Sequence, residues 1–250
     1  MGRIGIVALY TLQEVRRDRL FWGFIPLMCG AVALSFFMRE TSIVAGAEAF
    51  NRSYIALTML VTTAFVMLLV ISSVSREIDG KAIYMVITKP LSRYEFIVGK
   101  FIAFSLIAAA IVILFFAGAL ALGVGTVKSL AVHYILFSLE QMVMIMAALT
   151  ITLGVRSLPS SILGVAGFYI IGHSTKKLVD IGVQMAQEWV PVMKVFYYLF
   201  PSLSFFNAQA AVLEKGPVSW SDILFPLVYA CIYVVILFLI CAIDIRKRDF

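Results

Sequence analysis

Long apolar runs with few or no charges recur along this 250-residue chain, and they constrain its fold more than any other feature. A helix needs roughly 20 such residues to cross the hydrocarbon of a bilayer. Six runs approach or exceed this length, and we predict that each forms a membrane-spanning helix. They lie at about residues 20–38, 54–75, 101–125, 133–155, 158–173 and 223–243.

The composition favours the same class of protein. Hydrophobic residues make up 62% of the chain and charged residues only 14%, whereas a soluble domain has about 25% charged residues. These values exclude an ordinary soluble enzyme, a disordered chain and a secreted disulfide scaffold. We therefore predict an all-α fold that forms a single transmembrane domain over residues 1–250. The formal net charge of +6 does not indicate nucleic-acid binding, because no aromatic residues interleave with a basic stripe.

A seventh apolar run, 195–213, is ambiguous, since it contains Pro201 and Asn207 and is rich in aromatic residues. We predict re-entrant or interfacial helices there, within an outer segment at 174–222. Six spans with both termini in the cytoplasm place most of the 20 basic residues inside, including the basic run 246–248. The positive-inside rule favours this orientation, with the protein in the cell's inner (plasma) membrane.

Residues 1–19 precede the first span. Ile4, Ala8, Leu12 and Val15 recur at helical spacing, while the basic residues fall elsewhere. This pattern predicts an amphipathic interfacial helix on the cytoplasmic leaflet. The alternative is a plain charged flank of the first span.

The cytoplasmic segment 76–99 joins the second and third predicted spans. An apolar helical face that begins at Ile78 ends at Pro90, because proline lacks the N–H that a helix needs. Ser92 and Glu95 then have the spacing of a capping box at the start of a helix that continues into the third span. A short helix, a rigid turn and a continuing helix can pass a push from a cytoplasmic partner to the membrane helices.

A family resemblance is found in the same segment. The residues that carry it are Glu77, Gly80, Lys89, Pro90, Ser92, Arg93, Gly99 and Lys100. They resemble the motif of type-2 ABC exporter permeases, which reads approximately acid-x-x-Gly, a short amphipathic stretch, Pro-x-Ser-Arg, and Gly-Lys at the start of the third span. Six spans, an amphipathic N-terminal helix, a broken outer segment and a basic C-terminus are also typical of that family, so the resemblance covers essentially the whole length.

The resemblance implies that the chain is the transmembrane subunit of an ABC exporter and forms the substrate path as a dimer with a second permease copy. A separate ATP-binding cassette subunit would hydrolyse ATP, so we expect neither enzymatic activity nor a bound cofactor on this chain. The absence of a G-x-x-x-x-G-K-[ST] sequence favours that division. Segment 76–99 would contain a coupling helix that docks on the ATPase. The residues implied in coupling are Glu77, Ile78, Gly80, Lys81, Tyr84, Pro90 and Arg93.

Two of these residues have more specific expected roles. Glu77 would contact the ATPase or organise the loop, and Arg93 would pin the turn or contact lipid phosphate. From the local pattern alone, the segment is equally well interpreted as a charged loop that obeys the positive-inside rule.

Glu140 is an acid within the fourth predicted span. Such a residue is costly unless it is paired or neutralised, and it is therefore a candidate functional residue. We predict it as a candidate for the substrate path, where it would line the path, bind a cationic group or relay a proton. The alternative is a protonated or paired glutamate that bridges helices, with Gln141 beside it.

Two other functional classes compete with the exporter. One is a membrane assembly or structural subunit that does not transport. The other is an intramembrane hydrolase using Ser160 or Ser161 with His173, but these residues would lie about 18 Å apart along one helix. No metal site is predicted, because the three cysteines are scattered through apolar runs.

Overall fold

The computed structural model describes residues 3–41, 46–79, 93–185, 201–207 and 220–247, and over these residues the chain is helical with no β-strand. The prediction of an all-α fold is therefore confirmed for the described part. The α-helices are α1 (Arg3–Arg17), α2 (Arg19–Thr41), α3 (Gly46–Asp79), α4 (Arg93–Ala121), α5 (Val127–Val155), α6 (Leu158–Met185) and α7 (Leu224–Lys247). Two 3₁₀ helices, Leu203–Phe206 and Trp220–Ile223, lie between α6 and α7 in the sequence.

Within the described ranges, five helices are long and apolar enough to cross a membrane. They are α2, α3, α4, α5 and α7. Their number supports the predicted multi-pass membrane protein. Helix α6 is not among the five, because Pro159, Ser160 and His173 dilute its apolar residues. The sixth span therefore stays a prediction.

Helix α5 is the central helix of the described bundle. It packs against α3, α4, α6 and α7, and 72% of its most apolar stretch is buried. Helices α2 and α7 are peripheral, with only 17% of the corresponding stretch buried in each. The remaining apolar surface of these two helices faces outward, as expected where the surrounding medium is lipid.

The connection between α4 and α5 explains why two predicted spans have different bounds in the structure. Helix α4 ends at Ala121 rather than near residue 125, because Gly123 adopts a left-handed φ of 68° that closes the helix. Helix α5 then begins six residues earlier than the predicted 133–155, since the Thr126 side chain accepts a hydrogen bond from the Ser129 N–H at 3.3 Å.

Helix α6 begins where the fifth span was predicted but continues to Met185, so the first part of the predicted outer segment 174–222 is helical. Farther along, the 3₁₀ helix Leu203–Phe206 packs against α5 and α6. The Ser202 N–H donates to the Tyr229 hydroxyl at 2.8 Å, which ties this turn to α7. The rest of the predicted outer segment, apart from residues 201, 207 and 220–222, lies outside the described residues.

Helix α1 forms over most of the predicted interfacial segment 1–19, and it packs mainly against α4. Ala8 and Val15 are buried, as the helical spacing suggested, and Leu12 is half-buried. Ile4 lies at the exposed edge of this face. One face of α1 is therefore covered by the bundle.

Candidate functional site

Two oppositely charged residues meet where α3 ends and α4 begins. Glu77 lies in the last turn of α3, and Lys100 lies two turns into α4. The Lys100 Nζ atom is 2.8 Å from the Glu77 Oε1 atom. Only 1% of the Lys100 side chain and 15% of the Glu77 side chain are exposed. A buried ammonium is costly without a charged partner, so this contact, which we call the clamp pair, fixes the two helix ends together.

Lys100 has further partners inside the bundle. Its Nζ donates to the Ser73 Oγ at 3.1 Å, and it lies 5.5 Å from the ring centroid of Phe96 and 5.8 Å from that of Phe104. Aromatic faces at this distance attract a cation. The ammonium is thus held by a carboxylate, a hydroxyl and two rings, which together replace its hydration shell.

The network continues from α3 to α1. The Ser73 hydroxyl lies 3.3–3.4 Å from both carboxylate oxygens of Glu14. On the next turn of α3, Arg76 forms an ion pair with Asp18, between α1 and α2, and lies 3.5 Å from Glu14. Glu14 in α1 and Asp18 just after it therefore both contact α3, so α1 is tied to the same helix end as the clamp pair.

The pKa of Asp18 reflects this arrangement. Partial burial acts to raise the pKa, but the hydrogen bonds from Arg76 and the Leu20 N–H and the charge of Arg76 outweigh it, so the pKa is lowered from the ordinary 3.8. The carboxylate is therefore ionised at neutral pH. It supplies the charge that holds α1 to the end of α3.

A close contact between α1 and α4 lies beside the clamp pair. A Cβ atom added to Gly99 would lie 2.7 Å from the Val7 Cβ and 3.2 Å from the Ile4 carbonyl oxygen. A glycine at position 99 therefore lets α1 approach α4 closely. The Gly99-Lys100 dipeptide thus has two physical roles. Gly99 allows the close approach of α1 to α4, and Lys100 forms the ion pair with α3.

The predicted coupling residues are distributed around this site. Glu77 forms the clamp pair, Ile78 packs against the core, and Arg93 is the first residue of α4. The Glu77 Oε1 atom is paired with Lys100 within the chain, and both roles expected for Glu77 stay predictions. The other predicted coupling residues, Gly80, Lys81, Tyr84 and Pro90, lie outside the described residues.

Glu140 is elsewhere, fully buried on α5. Its Oε1 atom lies 3.6 Å from the Nε2 atom of His173 on α6, and the His173 ring stands 4.4 Å from the ring of Tyr169. The neighbouring Gln141 donates to the Thr63 Oγ1 on α3 at 2.8 Å. Glu140 therefore stands beside a histidine of the neighbouring helix, and its role in the substrate path stays a prediction.

Sequence reasoning missed most of the network around the clamp pair. Glu14 and Asp18 are the only acids before Glu40. Their isolation in a basic segment was the sequence feature that could have indicated their part in this network. Ser73 carried no signal, because a lone serine in an apolar helix usually bonds its own backbone. Within the described residues, no group of three or more His, Cys, Asp or Glu side chains is arranged to hold a metal ion.

Comparisons with known proteins give a family but no activity. Residues 18–250 match the family model described as "Protein of unknown function (DUF2705)". No curated protein matches the chain.

Proposed function

Because the chain belongs to the DUF2705 family, whose description assigns no activity, we propose its function from its geometry and sequence pattern. It is the transmembrane subunit of an ABC exporter in the cell's inner (plasma) membrane. Two copies form the substrate path, and a separate ATP-binding cassette subunit drives them from the cytoplasm. The resemblance of segment 76–99 to type-2 exporter permeases motivates this assignment.

The observation that carries the proposal is the clamp pair. Glu77 and Lys100 stand at opposite ends of the motif that resembles the exporter family, and their side chains meet at 2.8 Å. The helix ends on either side of this segment are thus held together at one point. Because α3 and α4 are both candidate spans, a force applied to that segment reaches two membrane helices together.

The topology of the proposal includes α6 as a sixth span. Its 28 residues extend about 42 Å, which is enough to cross a bilayer. It follows α5 after a short turn in which Arg156 has a left-handed φ of 60°, and it packs against α3 and α5. An even number of spans keeps both termini in the cytoplasm, with the basic run 246–248 inside.

Glu140 is the candidate for the substrate path. Together with His173 it forms a polar pair between α5 and α6. Acids at such positions are associated with transport pathways and proton relays. Movement of α6 relative to α5 would separate the two side chains. The pair would therefore respond directly when the substrate path changes the side of the membrane to which it opens.

The experiment is purification of the tagged chain from its native membranes in mild detergent. We expect a stoichiometric partner that contains G-x-x-x-x-G-K-[ST] and hydrolyses ATP. Lys81→Glu and Tyr84→Ala should reduce recovery of this partner. Lys128→Glu is the matched control, because Lys128 is exposed at the opposite end of the helical bundle, and it should leave recovery unchanged.

Glu77→Arg is a poor probe of docking, since it would place a second cation against buried Lys100 and disturb the fold. The outcome that contradicts the proposal is a purified assembly without an ATP-binding subunit, or one whose assembly and ATP turnover are untouched by both coupling variants. An intact complex that hydrolyses ATP but moves no cargo would instead favour the non-transporting assembly subunit.

A further inference from the structure

A cleft of about 290 Å³ opens between α1 and α3. Its lining is polar and carries charges of both signs. The lining residues are Tyr10, Gln13, Glu14, Arg17, Asp18 and Arg76. Two of them are acids and two are arginines, so the lining has no net charge. We call it the α1–α3 cleft.

The α1–α3 cleft lies at a membrane boundary. Asp18 immediately precedes Arg19, where the candidate span of α2 begins, and Arg76 lies two residues before Ile78, where the candidate span of α3 ends. Tyr10 and Trp22, near this boundary, are 64% and 62% exposed. Exposed aromatic side chains of this kind favour the headgroup region of a bilayer. A cleft at this level of a multi-pass membrane protein would face phospholipid headgroups.

Two charged groups of the cleft retain binding capacity. The Arg17 side chain is exposed, and among the described residues it has no hydrogen-bond or ion-pair partner. Glu14 has only long contacts, at 3.3–3.4 Å to Ser73 and 3.5 Å to Arg76, although a carboxylate has about four acceptor positions. A carboxylate with spare acceptor positions and a guanidinium with spare donors thus line one cleft.

We propose that the α1–α3 cleft binds the phosphoethanolamine headgroup of a membrane phospholipid. The guanidinium of Arg17 binds the phosphate, because its N–H groups match two phosphate oxygens. Glu14 accepts a hydrogen bond from the primary ammonium, which a choline headgroup cannot donate. A lining without net charge suits a zwitterionic headgroup better than an anionic one. This site does not depend on the exporter assignment.

The test is native mass spectrometry of the purified protein with phosphatidylethanolamine, phosphatidylcholine and phosphatidylglycerol of identical acyl chains. Phosphatidylethanolamine should be retained most strongly. Glu14→Gln should lower its retention about tenfold, the factor that corresponds to about 1.4 kcal/mol for a hydrogen bond between charged groups, and should leave phosphatidylcholine unchanged. Arg17→Gln should lower the retention of all three lipids, since each has a phosphate.

Glu48→Gln is the matched control, because Glu48 is an exposed acid at the other end of α3 that pairs with Arg52. It should change no lipid. Arg17→Gln is a second, independent variant in case Glu14→Gln weakens the packing of α1 on α3. The Arg17 side chain is exposed, so its replacement removes no packing contact. Equal retention of the ethanolamine and choline lipids, or an equal loss of both in Glu14→Gln, overturns the proposal. Displacement of the lipid by an equal concentration of soluble phosphoethanolamine would overturn the lipid assignment and identify a site for a small zwitterion.

Discussion

Removal of one member of the clamp pair should destabilise the protein far more than its position near a helix end suggests. Lys100→Met deletes the cation next to Glu77. Glu77→Gln leaves the ammonium of Lys100, which is 1% exposed, with the Ser73 hydroxyl and two aromatic rings. Breaking a buried ion pair from one side costs about 3–5 kcal/mol. We expect about 3 kcal/mol for Lys100→Met, because Glu77 is 15% exposed and water relieves part of its charge.

The double variant Glu77→Gln/Lys100→Met separates the ion pair from packing. With both charges gone, neither of these two positions carries an unpaired charge, and replacing both partners of a buried pair is often nearly neutral. The double variant should therefore be much less destabilised than the sum of the single variants, which corresponds to a coupling energy of about 3 kcal/mol. The assay is equilibrium unfolding in mixed micelles with increasing SDS, followed by far-UV circular dichroism.

A second pair on the same helix provides the control. Glu48 and Arg52 form an i,i+4 ion pair at 2.9 Å with side chains 59% and 64% exposed. The same double-mutant cycle there should give a coupling energy below about 0.5 kcal/mol. If the clamp cycle is additive, or couples no more strongly than the exposed pair, then the clamp pair does not hold the ends of α3 and α4 together and cannot transmit a force to both helices.

Two further predictions concern the attachment of α1. Gly99→Ala should overpack the contact with Val7 and cost about 1–3 kcal/mol, visible as faster proteolysis of α1. Gly167→Ala, which meets no atom within 4 Å, should not. Asp18 has a lowered pKa, so its ion pair with Arg76 contributes stability above the ordinary pKa of 3.8 and loses it as pH falls through the folded value. Thermal unfolding of Asp18→Asn between pH 7 and pH 3 should show a smaller acid-dependent loss than the unmodified chain, and equal losses would contradict the role given to Asp18.

Hydropathy predicted most of the fold. In lipid, every backbone N–H and C=O group must be hydrogen-bonded within the protein, and long apolar helices are the main structures that achieve this. Helices occur at all six predicted spans. Hydropathy is less decisive at α6. Its serines, proline and histidine lower its hydropathy to a level that a packed helix of a soluble protein can also have. It is also less decisive between α4 and α5, where Thr126 and Gly123 set the helix ends through local backbone geometry rather than through hydrophobicity.

The candidate site was only partly predictable. The sequence singled out Glu77 and placed Lys100 in the motif, yet it gave no indication that their side chains meet. The contacts of Ser73 with Glu14 and of Arg76 with Asp18 join residues 59 and 58 positions apart. Such pairings depend on how α1 crosses the bundle, and no local pattern encodes that crossing. His173 next to Glu140 is a similar case, since neither residue alone specifies its neighbour.

The uneven packing of the helices also affects which substitutions the chain can tolerate. Helix α5 is surrounded on most sides, so a change in the volume of one of its side chains must be absorbed by several neighbours at once. Helices α2 and α7 have much of their circumference outside the described bundle. Exchange of one aliphatic side chain for another on those outer faces preserves what the bilayer requires, which leaves the sequences of the first and last spans far freer to drift than the sequence of the middle one.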